Sequence, residues 1–223
     1  MDYRIISIGT LSSHELWDNQ TAPRTAHATT TLIRTDDRMI LVDPALPPQA
    51  IAAKLAERAG ITPDDITDVF LTNFRPAHRM GLSAFSDARW YISERERETI
   101  GPALIEQFQE TEDPDIQQLL QYEVSLLKKC EAAPDKFASQ VDLFPCPGYT
   151  PGTCGLLLLE TSQTTLIAGD AVPTVEHFEQ GRVLKGAIDI ELAQESFVEA
   201  LEIADIIIPG HDNIIINKSK KHF

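Results

Sequence analysis

No stretch of this sequence stays apolar long enough to cross a membrane. The longest runs, Leu156–Leu159 and Ile206–Ile208, are strand-sized, whereas a spanning helix needs roughly 18 residues or more. Cysteine is scarce as well. Cys130, Cys146 and Cys154 follow no zinc-knuckle or redox spacing, and an odd, sparse count points to buried, reduced thiols rather than a disulfide framework. Basic residues are outnumbered, 19 against 34 acidic, for a formal net charge of −15. Such a surface repels phosphate backbones and argues against a general nucleic-acid binder. The basic stretch Lys218-Ser219-Lys220-Lys221 is too short to reverse this and reads as a solvated tail. The first residues, MDYRIISIG, lack the basic start, apolar stretch and small-residue cleavage site of a signal peptide, so a cytoplasmic location is the expectation.

What is present fits one large globular domain over residues 1–223, with 43% hydrophobic residues to build a core. Arg4–Ile8 reads as a strand, and Thr29–Arg34 with Met39–Val42 as a hairpin around Asp36-Asp37. Pro47 and Pro48 open a helix through Arg58, which Gly60 stops. Val69–Thr72 and Trp90–Ile92 are further strands. Residues from about 94 to 133 have helical composition, broken near Gly101-Pro102 and Asp113-Pro114, and are expected to cover one face of the core.

Val141–Phe144, Gly155–Glu160 and Thr164–Ala168 follow as strands in close order. Glu191–Ile203 is expected to be an amphipathic helix with Leu192, Phe197, Val198, Leu201 and Ile203 near one side. Asp205–Ile208 is the last predicted strand. A meander of strands followed by alternating strands and helices implies a layered α/β arrangement of mixed sheets.

Five segments carry more than periodicity. They are Ile40-Leu41-Val42-Asp43, Thr72–Leu82 (TNFRPAHRMGL), Pro147–Gly152 (PGYTPG), Ala168-Gly169-Asp170 and Ile208–Asp212 (IPGHD). In this order, each after an expected strand, they resemble the motifs of the metallo-β-lactamase superfamily over nearly the whole chain. The resemblance implies an αββα four-layer sandwich of two mixed β-sheets flanked by helices, with a site on loops at one edge. It also implies a two-metal hydrolase site, in which paired cations generate a hydroxide and clamp the developing oxyanion.

The chain departs from that site unevenly. Where the family reads H-x-H-x-D-H, Asn73 stands for the first His, Arg75 for the second and Ala77 for the Asp; only His78 remains. The His of the Pro-Gly-His-Thr-Pro-Gly motif is Tyr149. The bridging Asp170 and the final His211 are kept. Four of seven implied ligands are therefore lost, including every one private to the first metal. Arg75 is hostile to a cation there, because a guanidinium has no acceptor.

Two hypotheses follow for the remodelled half. Arg75 could replace the missing cation by pairing with Asp170, or it could point to solvent. Arg75, Arg79 and His78 could also line an anion-binding pocket. For the other half, His78, Asp170 and His211 are the implied ligands of at most one Zn, Fe or Mn ion, with no metal as the alternative. Tyr149 or Asn73 could donate to an oxyanion, and Asp43 is implied to orient the loop.

His27 and His177 stand outside the motifs and are left out of the site. His14 and His222 receive no functional weight. The function implied is a metal-dependent hydrolase of a small ester, thioester or lactone. The alternative is a catalytically inactive member that binds an anionic ligand or a protein partner. Small molecules are the expected ligands, with no nucleic acid and no membrane; the sequence specifies no oligomeric state.

Overall fold

The computed structural model describes residues 1–13 and 24–218. His14, His222 and the tail from Ser219 lie outside them. Two six-stranded sheets pack face to face. The first runs in order β1 (Asp2–Ser7), β2 (Thr30–Arg34), β3 (Met39–Val42), β4 (Asp68–Leu71), β5 (Arg89–Ile92) and β6 (Cys130–Ala132). Its first three strands are antiparallel and its last four, sharing β3, are parallel. The second runs β12 (Ile215–Ile216), β11 (Ile206–Pro209), β10 (Thr164–Gly169), β9 (Cys154–Leu159), β8 (Val141–Pro145) and β7 (Lys136–Ala138). Only its β10–β11 pair is parallel.

Alternation along the strands divides the core into three apolar layers, because successive side chains point to opposite faces. Ile40, Val42 and Phe70 face the second sheet and pack with Leu156, Leu158, Ile167 and Ile208. Leu41, Val69 and Leu71 face outward onto Ile51 and Leu55 of α1 (Pro48–Ala59) and onto Leu126 and Leu127 further along the chain. Leu166, Ala168 and Ile207 face the opposite way and meet Phe197 and Ala200. Helix, sheet, sheet and helix therefore form an αββα sandwich. Among the described residues no helix is long and apolar enough to cross a membrane.

Several expectations are met at the residue level. Met39–Val42 is a strand as read, and Gly60 ends α1 with φ 68°. α2 is a single turn, Pro76–Arg79. The cover consists of α3 (Glu94–Glu110) and α4 (Pro114–Lys129), separated at Thr111–Asp113. The expected break at Gly101-Pro102 is absent, and Pro102 sits inside α3. The helical segment also stops short: Cys130–Ala132 leaves α4 to become the edge strand beside β5.

After the short α5 (Val175–Gln180) comes α6 (Ile190–Ile203), which presents Ala193, Ser196, Phe197 and Ala200 to the core. Val198 and Ile203 are exposed instead. The buried stripe follows the i, i+3, i+4, i+7 spacing and uses small residues, which let the helix lie close to the sheet. The three thiols are free and buried, and burial pushes those of Cys130 and Cys154 up to about 12.

One buried ion network ties the edge of the sandwich opposite the functional loops. Asp68 accepts from Arg38 Nε and Nη2 at 2.8 and 2.7 Å, and its Oδ1 lies 2.9 Å from Arg89 Nη2. Burial alone would raise its carboxyl; the Arg38 fork, Thr67 and Arg89 outweigh this and hold it below the usual range. A carboxyl lowered on folding contributes stability that is complete above its unfolded value, near 4, and is lost as pH falls through the folded value. Asp68→Asn is expected to cost about 2 kcal/mol at neutral pH and to flatten the loss of stability below pH 4, as read by urea titrations across pH. Parallel acid limbs in the two proteins would refute this role.

Candidate metal centre

Most residues of the site lie just past the ends of strands, on one edge of the sandwich, and His78 stands on the short α2 that follows β4. Asp43 follows β3, Thr72 and Asn73 follow β4, Asp170 follows β10, and His211 follows β11. Parallel strands deliver these ends together: Asp43 N donates to Phe70 O at 3.0 Å, and β10 and β11 run side by side. The two sheets touch at this edge. Cys154 N donates to Thr72 O at 2.9 Å, and a Cβ on Gly169 (φ 52°) would lie 2.7 Å from Thr72 Oγ1. A left-handed backbone and that close approach both call for glycine at 169.

At the centre is the Asp170 carboxylate, 3% exposed. Its Oδ2 lies 2.8 Å from His78 Nε2 and accepts from Asn73 Nδ2 at 2.8 Å; its Oδ1 lies 2.9 Å from His211 Nε2. The two imidazoles stand edge to face, with centroids 5.6 Å apart. Each ring is also held from behind. His78 Nδ1 is 3.0 Å from Asp43 Oδ2, and His211 Nδ1 is 3.0 Å from the His27 carbonyl oxygen. Asp43 is itself fixed, accepting from Thr72 N and Thr72 Oγ1 at 2.9 and 2.7 Å.

Burial by itself would lower the His78 imidazole, but the charges of Asp170 and Asp43 on either side raise it to about 10. Burial would likewise raise Asp170, and the two imidazoles hold it well below the usual carboxylate range. This is a compact His–Asp–His cluster in which every ring nitrogen has a defined partner.

His78, Asp170 and His211 offer ligand atoms that all lie within 4.8 Å of one another. Two imidazole nitrogens and one carboxylate suit a single Zn, Fe or Mn ion, and a ligating His ordinarily has its other nitrogen bonded to a carboxylate or carbonyl, as both do here. The positions that the resemblance implies for a second ion's ligands hold other groups. Asn73 turns its amide N–H onto Asp170, Ala77 has no donor atom, and the Arg75 guanidinium lies 5.1 Å from the centroid of the Tyr149 ring.

That last contact corrects one expectation. Arg75 is exposed and makes no ion pair with Asp170 among the described residues; its guanidinium lies against Tyr149, while His78, His211 and Asn73 surround the carboxylate. The anion pocket of Arg75, Arg79 and His78 does not form either. Arg79 is buried, donates to Phe74 O at 2.8 Å and pairs with Glu123, while His78 is enclosed between two carboxylates. Asn73 is committed to Asp170, which leaves Tyr149 as the group with a phenol to offer. Its hydroxyl is raised by burial and then by Asp170, against the lowering effect of Arg75, so it stays protonated as a donor.

The histidines outside the motifs behave differently from one another. His27 serves the cluster through its backbone carbonyl, while its ring Nδ1 lies 3.1 Å from Thr25 O. His177 is buried with Nδ1 2.9 Å from Thr174 Oγ1 and is not part of the His–Asp–His group. Sequence reasoning missed Glu96 altogether. It is fully buried; Oε1 accepts from Phe74 N at 3.0 Å, and Oε2 accepts from Thr150 Oγ1 and Gly152 N at 2.7 and 3.0 Å. The signal available was Ser93-Glu94-Arg95-Glu96, the spacing of a capping box. Ser93 does cap α3 by accepting from Glu96 N, but the Glu96 side chain reaches the two site loops instead.

The sequence model of the metallo-beta-lactamase superfamily matches residues 24–211. The chain belongs to this superfamily. Among solved structures, it resembles a Thermotoga maritima protein assigned to the metallo-beta-lactamases, with a TM-score of 0.68 at 20% identity over 96% of this chain and 98% of the other. It is similar to the dizinc quorum-quenching lactonase AidC, with a TM-score of 0.67 at 20% identity over 82% of this chain and 72% of that one. A third is an AiiA variant from B. thuringiensis with N-decanoyl-L-homoserine bound, with a TM-score of 0.65 at 22% identity over 94% and 92%. No curated protein matches the chain by sequence. At these identities the superfamily likeness carries the fold, and the chemistry has to be argued from the cluster.

Proposed function

We propose that this superfamily member holds one transition-metal ion on His78, Asp170 and His211 and hydrolyses a small ester, thioester or lactone. The observation that supports this is the fixing of both imidazoles from behind, by the Asp43 carboxylate and the His27 carbonyl, so that both Nε2 atoms converge on Asp170. When bound, the ion would supply Lewis acidity and a water acidic enough to act as hydroxide near neutral pH. Asp43 orients His78, and Asn73 steadies the Asp170 carboxylate. The Tyr149 phenol donates a hydrogen bond toward an oxygen that gains charge during acyl transfer, and Arg75 on its ring adds positive potential at the same place. A lactone is among the substrates to test first, a choice supported by the shared fold of the lactone hydrolases.

A metal-free binding protein is the second reading. It is favoured by the Asp170 carboxylate, which already has three nitrogen partners within the chain, Asn73 Nδ2, His78 Nε2 and His211 Nε2. Element analysis of untagged protein separates the two, together with a screen of lactones, thioesters and esters in the presence of Zn, Mn or Fe. About one equivalent of metal and metal-dependent turnover are the expected results. Protein with no stoichiometric metal, no activity with any ion and an unchanged melting point in chelator would establish the second reading.

A further inference from the structure

We propose that Glu96 is the positioning residue of this site, the group that sets the Asn73–Arg75 loop and the Tyr149–Gly152 loop relative to one another. Its carboxylate is fully buried in the first turn of α3 and has no ion-pair partner among the described residues. A buried charge without a counter-charge is costly unless hydrogen bonds compensate it. All of its bonds go to the two loops. One oxygen takes the N–H of Phe74, between Asn73 and Arg75; the other takes the hydroxyl of Thr150, next to Tyr149, and the N–H of Gly152.

Contact geometry tightens the same junction. Ser93 Oγ donates to Gly152 O at 2.5 Å, and a Cβ on Gly152 would lie 2.0 Å from Glu96 N. The loop thus rests directly on the start of α3. From Phe74 the restraint passes in both directions. Asn73 Oδ1 accepts the Arg75 N–H at 2.9 Å while its amide donates to Asp170 at 2.8 Å. Glu96 therefore fixes the aim of Asn73 at the central carboxylate and brings Arg75 over the Tyr149 ring. Glutamine cannot replace it, because two of its partners need one oxygen and the Phe74 N–H would then face an amide N–H.

This inference rests on the proposed function only in calling the junction part of a site, and its test does not depend on turnover. In the full-length chain, the δ protons of Arg75 are expected to carry an upfield ring-current shift that Tyr149→Leu removes. Glu96→Gln is expected to keep the core methyl spectrum, lose that shift, and weaken zinc about ten-fold, the lower end of what loss of an outer partner costs a metal site. A folded Glu96→Gln protein with the Arg75 shift intact would overturn the proposal. If Glu96→Gln does not fold, Thr150→Val, which removes the hydroxyl's bonds to Glu96 and Thr153 and no charge, reads the same signal: a reduced shift supports the proposal and an unchanged one refutes it. A wild-type chain that takes up no zinc removes the metal reading, while the Arg75 signal still decides the role of Glu96.

Discussion

His211→Ala is expected to abolish the stabilisation of the protein by zinc. A ligand at a hundred times its dissociation constant adds about 2.7 kcal/mol to a folded chain that binds it and to nothing else. For a domain of this size that corresponds to a rise of about 5–11 °C in melting temperature. The variant leaves one imidazole and one carboxylate where the wild type has three ligands, too few for a tight site. It also leaves Asp170 Oδ1 and the His27 carbonyl without the His211 ring beside them, so the metal-free variant itself loses about 1–3 kcal/mol. The quantity to compare is therefore the zinc-induced change within each protein, by calorimetry with parallel metal content. A variant that takes up one zinc and melts with the wild-type increment would remove His211 from the ligand set.

Asp43→Ala carries the second large effect, this time on stability. The carboxylate is buried and receives the Thr72 N–H, the Thr72 hydroxyl and His78 Nδ1. Its loss leaves a buried N–H unpaired and one side of His78 without its counter-charge, a cost of about 3–5 kcal/mol. Alanine is also strained at the φ of 50° found here, which adds about 1 kcal/mol. Asp43→Asn, which keeps one acceptor oxygen and tolerates that backbone, is expected to fall between the two proteins in a urea titration. An Asp43→Ala protein within 1 kcal/mol of wild type would show that the loop is held by something else.

Most of the fold was legible in the sequence, and for a local reason. Strands such as Ile40-Leu41-Val42 and Val69-Phe70-Leu71 declare themselves by β-branched and apolar residues between turns, and helix α1 by Pro48 at its start and Gly60 at its end. The failures were also physical. Pro102 breaks no helix, and the Cys130–Ala132 segment continues the composition of α4 yet pairs with β5, because a sheet edge offers backbone partners that no local pattern reveals. In α6 the expected stripe was right at Phe197 and Leu201 but not at Val198 and Ile203, since closeness to the sheet favoured Ala193 and Ala200.

The site divides in the same way. The residues at the motif positions, read with the family resemblance, implied that four of the seven ligands of a two-metal centre are replaced and that His78, Asp170 and His211 are kept. Only the tertiary structure decided what the replacements do. Asn73 bonds Asp170, Arg75 turns away onto Tyr149, Arg79 is spent on Phe74 and Glu123, and Glu96 clamps the two loops from a helix with no place in the motifs. The cause is that each of these side chains chooses among partners far away in sequence. A carboxylate as enclosed as Asp170 takes the donors that the packed strands bring within 3 Å, whichever residue the motif spacing places beside it.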